Sequence, residues 1–395
     1  MAFASIVLPA GLVDGLGSRV PWIVVMSLPV LFDAALGSLG ASRQLRSLFS
    51  GTLVVFAAVA AMIVALLLNA PTPPGVLAAV SFALATLAGW VTGRRWWNVA
   101  ATLSWFDVGV LIFLGISVLH LVVLGLGVGS LSRFHVLAVL PWGGSNYVAG
   151  VMVVMAFVLW SRRSLVPGAR WAALAAGAVS VLTLSRGAFI ALGAGLLVLL
   201  WDAGRTMLTR FLVRVSAMVL VGVGVLGFSE VTQQRSVGGY DPGSNVDARL
   251  SLFHMAWEAF VSSPFTGTGW LSLREPSKEI LGADISYAHN FFLSFLQIGG
   301  LLGLAFIAVF CHFALRCWRT CVTLRPALIA GFAISMSDPF VESAVAGFVM
   351  WTILAYGTGT TTEVSAAEVN AFGTRRSRAR RAESVTRRGP RRLAR

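Results

Sequence analysis

Runs of about twenty almost wholly apolar residues recur along most of this chain, and a run of that length is what a helix needs to cross the hydrocarbon core of a bilayer. Such segments read near 20–42, 47–69, 75–92, 103–127, 141–160, 169–184, 187–201, 211–228, 287–314, 326–337 and 342–357, with 1–13 as a short twelfth. Backbone in hydrocarbon has no water to bond to, so each run is expected as a helix. The expected fold class is therefore all-α: a polytopic membrane protein with 11–12 transmembrane helices. Composition agrees, since 57% of residues are hydrophobic and 12% charged, against roughly 25% charged in a soluble domain. A soluble, disordered or fibrous chain is excluded. No basic segment followed by a cleavage site opens the sequence, so no removable leader is expected.

Charge placement then gives an expected orientation. Arg43 and Arg46, Arg94 and Arg95, Arg162, Arg163 and Arg170, Arg205, Arg210 and Arg214, and Arg316, Arg319 and Arg325 fall in alternate connections. The intervening short connections hold only Arg19, Arg133 and Arg186. Arginine-rich connections stay in the cytoplasm, so the C-terminus is expected there, in the cytoplasmic (inner) membrane of a multi-pass protein. The tail 361–395 carries ten arginines from Arg375 to Arg395 among small and polar residues. It is expected to be disordered and to meet anionic lipid headgroups rather than nucleic acid. Cys311, Cys317 and Cys321 have neither zinc nor disulfide spacing and receive no role.

The domain organisation expected is N-terminal transmembrane helices over 1–228, an extracytoplasmic (periplasmic) loop over 229–286, C-terminal transmembrane helices over 287–360, and the basic tail. Within the loop, Asp247 reads as an N-cap, followed by Leu250, Phe253, Trp257, Phe260 and Val261 at helical spacing as far as Pro264. That is a short amphipathic helix on the outer membrane surface, with Arg249 in its first turn. Gly238 to Gly243 reads as turns.

Three polar residues stand on this outer side, where positive charge is disfavoured. Arg186 lies in the turn Ser185-Arg186-Gly187, Arg249 heads the amphipathic helix, and His289 opens the next span in Ala288-His289-Asn290. Taken singly, each has a plain structural explanation: a snorkelling arginine, an exposed helix charge, a histidine at a helix start. Together they make a set that can converge at one face of the membrane. Two guanidiniums match phosphate oxygens as forked donors, and a histidine can take a proton from a hydroxyl near neutral pH.

In this order the residues resemble the O-antigen ligase and O-antigen polymerase superfamily. The resemblance is carried by Ser185-Arg186-Gly187 before an apolar span, Asp247-Ala248-Arg249 leading into a helix, Pro264-x-x-Gly267-x-Gly269, His289-Asn290, and Gly144-Ser145-Asn146-Tyr147 opening an earlier span. It implies transfer of a glycan from a polyprenyl (undecaprenyl or decaprenyl) pyrophosphate carrier to an acceptor hydroxyl, outside the cytoplasmic membrane. By the same resemblance Arg186 and Arg249 hold the pyrophosphate, His289 orients or deprotonates the acceptor, and Asn290, Gly267 and Gly269 support them. The acceptor would be a glycan, a lipid or a protein. No metal and no cofactor are expected, since arginine keeps its charge and can stabilise the leaving pyrophosphate. A polymerase of the same superfamily is the near alternative. A transporter is the distant one, suggested by Asp33, Asp107 and His120 in or near apolar spans.

Overall fold

The computed structural model describes residues 45–69, 72–95, single positions between 108 and 119, 145–183, 185–201, 207–216, 218, 242–282 and 285–359. Among these the delimited elements are helices: α1 (Leu45–Leu68), α2 (Pro73–Arg95), α3 (Ser145–Ser161), α4 (Ala169–Leu182), α5 (Arg186–Trp201), α6 (Pro242–Ser262), α7 (Arg274–Leu281), α8 (Phe291–Thr320), α9 (Arg325–Ser335, after one 3₁₀ turn at Val322–Leu324) and α10 (Ala344–Gly359). No strand occurs among the described residues. Helices α1, α2 and α8 are long and apolar enough to cross a membrane, and the fold is that of an all-α polytopic membrane protein. The segments expected at 1–13 and 20–42, most of 103–127 and 211–228, the tail, and Asp33, Asp107 and His120 lie outside the described residues.

Small residues let the helices approach. Gly89 and Gly93 lie one turn apart on α2, and a Cβ at either would run into the α10 backbone, at the Phe348 and Thr352 carbonyls. With no hydrophobic drive between helices in lipid, backbone approach at Gly-x-x-x-Gly is how close packing is gained. Around this contact stands an aromatic core. Trp90 stacks against Phe313 at 4.6 Å, Phe82 packs on Trp270, Phe295 and Phe306, and Trp351 closes on Phe306 and Phe310.

Helix α8 is broken in its first third. Gly300 takes φ 56°, ψ −131°, a backbone open to glycine at little cost. The break frees the Gln297 and Ile298 carbonyls, and residues 264–269 dock there: Thr268 N–H donates to Gln297 O at 2.8 Å, Gly269 N–H to Ile298 O at 3.1 Å, and Leu301 N–H to Pro264 O at 2.8 Å. Gln297 adds its side-chain amide to Ser272 Oγ at 2.6 Å and Gly269 O at 3.2 Å. Irregular backbone beside a membrane span is tolerated where protein groups satisfy it.

The segment between α5 and α8 is more structured than expected. Helix α6 begins at Pro242, five residues before Asp247, so Asp247 is not its N-cap and Arg249 sits two turns in rather than in the first turn. Proline suits a first helical position, since its missing N–H has no partner there anyway. The helix ends at Ser262, two residues short of Pro264, and α7 was not foreseen from the sequence.

Gly300→Ala is expected to lower the thermal midpoint of the purified protein. This sparsely populated positive-φ backbone alone costs an alanine about 1–3 kcal/mol, and its Cβ would meet Gly267 N at 2.7 Å. An unchanged midpoint would show that the break is not held by the 264–269 turn.

Candidate functional site

Residues 336–343, Met-Ser-Asp-Pro-Phe-Val-Glu-Ser, turn the chain from α9 into α10. The turn is fixed to α3 through Tyr147, whose hydroxyl accepts from Ser343 Oγ at 2.7 Å and from the Ala346 amide at 3.0 Å. Asp338 N–H continues the α9 ladder to Ile334 O at 2.9 Å, which sets the Asp338 carboxyl at the end of the bundle. It is buried there, 5% exposed.

Two of the three expected residues reach this carboxylate. Arg249 Nη2 lies 3.8 Å from Asp338 Oδ1, and His289 Nδ1 lies 3.6 Å from the same oxygen. The third, Arg186, is the first residue of α5, which Ser185 caps with a hydroxyl that accepts from Ala188 N–H at 3.4 Å. Its neighbour Gly187 packs directly against the site: a Cβ there would stand 2.6 Å from Asp338 Oδ2 and 2.5 Å from Ser337 Oγ. Only a residue without a side chain lets α5 start this close to the carboxylate. Arg249 and His289 keep about a third and a quarter of their side chains exposed, so the cluster is open to a ligand on one side and closed by Asp338 on the other.

Packing explains the convergence. Leu252, Met255 and Ala256 on α6 form one buried cluster with Ala288 and Leu273, against Leu293. That contact holds α6 beside the segment that carries His289, and Arg249 lies one turn before Leu252. His289 itself has φ 53°, uncommon for a residue with a side chain. Its Nδ1 is inaccessible and lacks a hydrogen-bond partner, standing within ion-pair but outside hydrogen-bond distance of Asp338.

The three supporting residues act on the backbone. Asn290 is the N-cap of α8, accepting from Phe292 N–H at 3.1 Å and Leu293 N–H at 3.2 Å. Gly267 has φ 67°, and a Cβ there would stand 2.5 Å from Gln297 O; Gly269 has φ 89°. Both belong to the turn that docks in the α8 break. Among the described residues no three His, Cys, Asp or Glu side chains gather as a metal ion would need.

Residues 171–308 match the family described as O-antigen ligase. The chain carries an O-antigen ligase domain. No curated protein matches it. The match and the apolar helices support a membrane protein of polysaccharide biosynthesis, of the O-antigen ligase and polymerase type.

The O-antigen ligase domain contains Arg186, Arg249 and His289, but the carboxylate that receives Arg249 and His289 lies beyond it. Asp338 went unnoticed in the sequence. Its signal is an Asp-Pro pair in a short connection that alternation puts on the same side as Arg186 and His289. Glu342, in the same connection, was missed as well. It is 3% exposed, and neither carboxyl oxygen has a hydrogen-bond partner; nor does Ser294 Oγ. Burial pushes the Glu342 carboxyl up to about 7, and the charge on Asp338 adds to the rise. The Val341 and Glu342 amides and the Ser294 hydroxyl oppose it from outside hydrogen-bond geometry. Burial also raises the Tyr287 hydroxyl, with Glu342 contributing.

A carboxyl raised from 4.5 to about 7 has a definite effect on stability. Below about 4.5 it is neutral in both folded and unfolded states and costs nothing. As pH rises toward 7 the unfolded chain releases the proton first, so folded-state stability falls and levels off above 7, by a total on the order of 3 kcal/mol. The wild-type melting temperature is therefore expected to drop relative to Glu342→Gln between about pH 5 and pH 8. Parallel curves for the two proteins would show that Glu342 does not carry this proton.

Proposed function

We propose that the protein is a glycan ligase of the O-antigen type, acting at the outer face of the cytoplasmic membrane. In this reading it moves a glycan from a polyprenyl pyrophosphate carrier to an acceptor hydroxyl. The observation that carries the proposal is the meeting of Arg249 and His289 on one buried carboxylate, with the start of α5 packed against it. Residues more than a hundred positions apart in the chain thus face a single site.

The acceptor oxygen attacks the anomeric carbon of the donor sugar, and the bond from that carbon to the pyrophosphate oxygen breaks. The electron pair of that bond leaves on the pyrophosphate, and the acceptor proton passes to His289. Asp338 orients the imidazole through Nδ1, leaving Nε2 for the acceptor, and stabilises the imidazolium that forms. Contacts of this kind are often long before substrate arrives and tighten in the complex. Arg186 and Arg249 meet the charge that grows on the leaving pyrophosphate, so they favour the transition state over the ground state. Asp338 also holds Arg249 in place, so that its guanidinium is arranged before the donor enters.

Among the described residues Arg94, Arg163, Arg170, Arg319 and Arg325 lie at the other end of the helices, which supports an extracytoplasmic site and a cytoplasmic C-terminus by the positive-inside rule. Ligase is preferred to polymerase because the matching family is described by that activity.

Arg186→Ala, Arg249→Ala, His289→Ala and Asp338→Asn are each expected to lower glycan transfer about a hundredfold or more, with the protein still present in the membrane. Lipid-linked glycan would accumulate in cells that carry them. Normal surface glycan in all four strains would overturn the assignment. Glycan that is attached normally but shortened would mean a polymerase.

A further inference from the structure

Among the described residues, five arginines stack on tryptophans: Arg94 on Trp90, Arg163 on Trp160, Arg170 on Trp171, Arg214 on Trp201 and Arg325 on Trp318. All five stand at the end of the bundle opposite Asp338. Helices α2, α3, α5 and α8 begin at the Asp338 end and carry their pairs at or just past their C-termini, while α4 and α9 carry theirs at or before their N-termini.

Two of these pairs share a cavity. Trp160, Arg163, Arg170 and Trp171, with the backbone of 164–168, line a cavity of about 640 Å³ at the turn between α3 and α4. The arginines are held in place before any ligand arrives. Arg163 lies 4.9 Å over Trp160 and donates from Nη1 to the Trp160 carbonyl at 2.9 Å, and Arg170 lies 4.8 Å over Trp171. Between them α4 starts at Gly168, φ 79°, with no side-chain cap, so the positive end of the helix adds to the two guanidiniums. Among the described residues no carboxylate lines the cavity.

An apolar track leaves the cavity along α4. Trp171, Leu174, Val181 and Leu182 are 65%, 53%, 37% and 44% exposed and follow one face of the helix, while Ala169, Ala173, Ala176 and Val179 on the other face are buried. A free phosphate would use the cavity alone. A diacyl lipid uses both parts, phosphate in the cavity and acyl chain on the track, and the tryptophans mark the level of its headgroup. The geometry points to a binding site for one anionic phospholipid at the α3–α4 turn, on the leaflet opposite the Asp338 site.

The test uses the full-length protein in nanodiscs, with phosphatidylglycerol carrying a photoreactive group on its acyl chain. Labelling is expected on the peptide covering 171–182. Unlabelled phosphatidylglycerol should displace it and phosphatidylcholine should not. Arg163→Gln with Arg170→Gln should reduce the label about thirtyfold, about fivefold for each guanidinium. Arg325→Gln, at the same end but outside the cavity, should leave it unchanged. Equal displacement by phosphatidylcholine in the wild-type protein would overturn the site without recourse to any variant. So would undiminished label in the double variant, and displacement by millimolar inorganic phosphate would mean a phosphate site and not a lipid site.

Discussion

One carboxylate organises the polar end of this molecule. Asp338 Oδ1 lies within ion-pair distance of both Arg249 and His289, and its other oxygen lies against Gly187 and the Ser337 hydroxyl. A buried acid is stable as an anion only if cations or donors surround it. Arg249 supplies the cation and His289 faces the same oxygen, so the two are fixed relative to each other. The helices that deliver them, α6 and the start of α8, are also held together by the small apolar cluster around Leu252 and Ala288. Charge and packing thus specify the same arrangement.

A second constraint lies one layer deeper. The α8 break at Gly299-Gly300 exposes carbonyls that a lipid environment cannot satisfy, and the turn 264–269 satisfies them. Since that turn follows α6 directly, its docking fixes where α6 can lie over the bundle. Gly267, Gly269 and Asn290, first singled out as support for the site, therefore act at a distance from it, by setting the path of the chain on either side of His289.

Glu342 beside Asp338 places two acids in one short connection, one facing Arg249 and His289 and the other shut away from water by burial, which raises its proton affinity. Buried carboxyls with a raised proton affinity are frequent at functional sites. The opposite end of the bundle has the contrary character, with arginines resting on tryptophans and no part in the polar cluster. The described helices are polarised along their axes, with the polar cluster at one end and arginine–tryptophan pairs at the other.

How much of this was legible differs from element to element. The apolar runs that became α1, α2, α5 and α10 were placed to within a few residues, because burial in lipid selects composition directly and composition is local. Arg186, Arg249 and His289 stood out for a similar reason, as charges where a membrane topology disfavours them. The start of α6 was misplaced, since an internal aspartate gave a stronger capping signal than Pro242. Glu342 and Tyr147's hold on Ser343 were not legible at all, and Asp338 left only the faint mark of an Asp-Pro pair in a short connection. Each matters only through a partner elsewhere in the chain, and the spacing of one element carries no record of which other element packs on it. The sequence by itself determined a bundle of membrane helices with basic and polar ends, because hydropathy and charge act residue by residue. Only the tertiary structure decided that one carboxylate would join Arg249 to His289, because a salt bridge depends on distance in space and distance is set by packing.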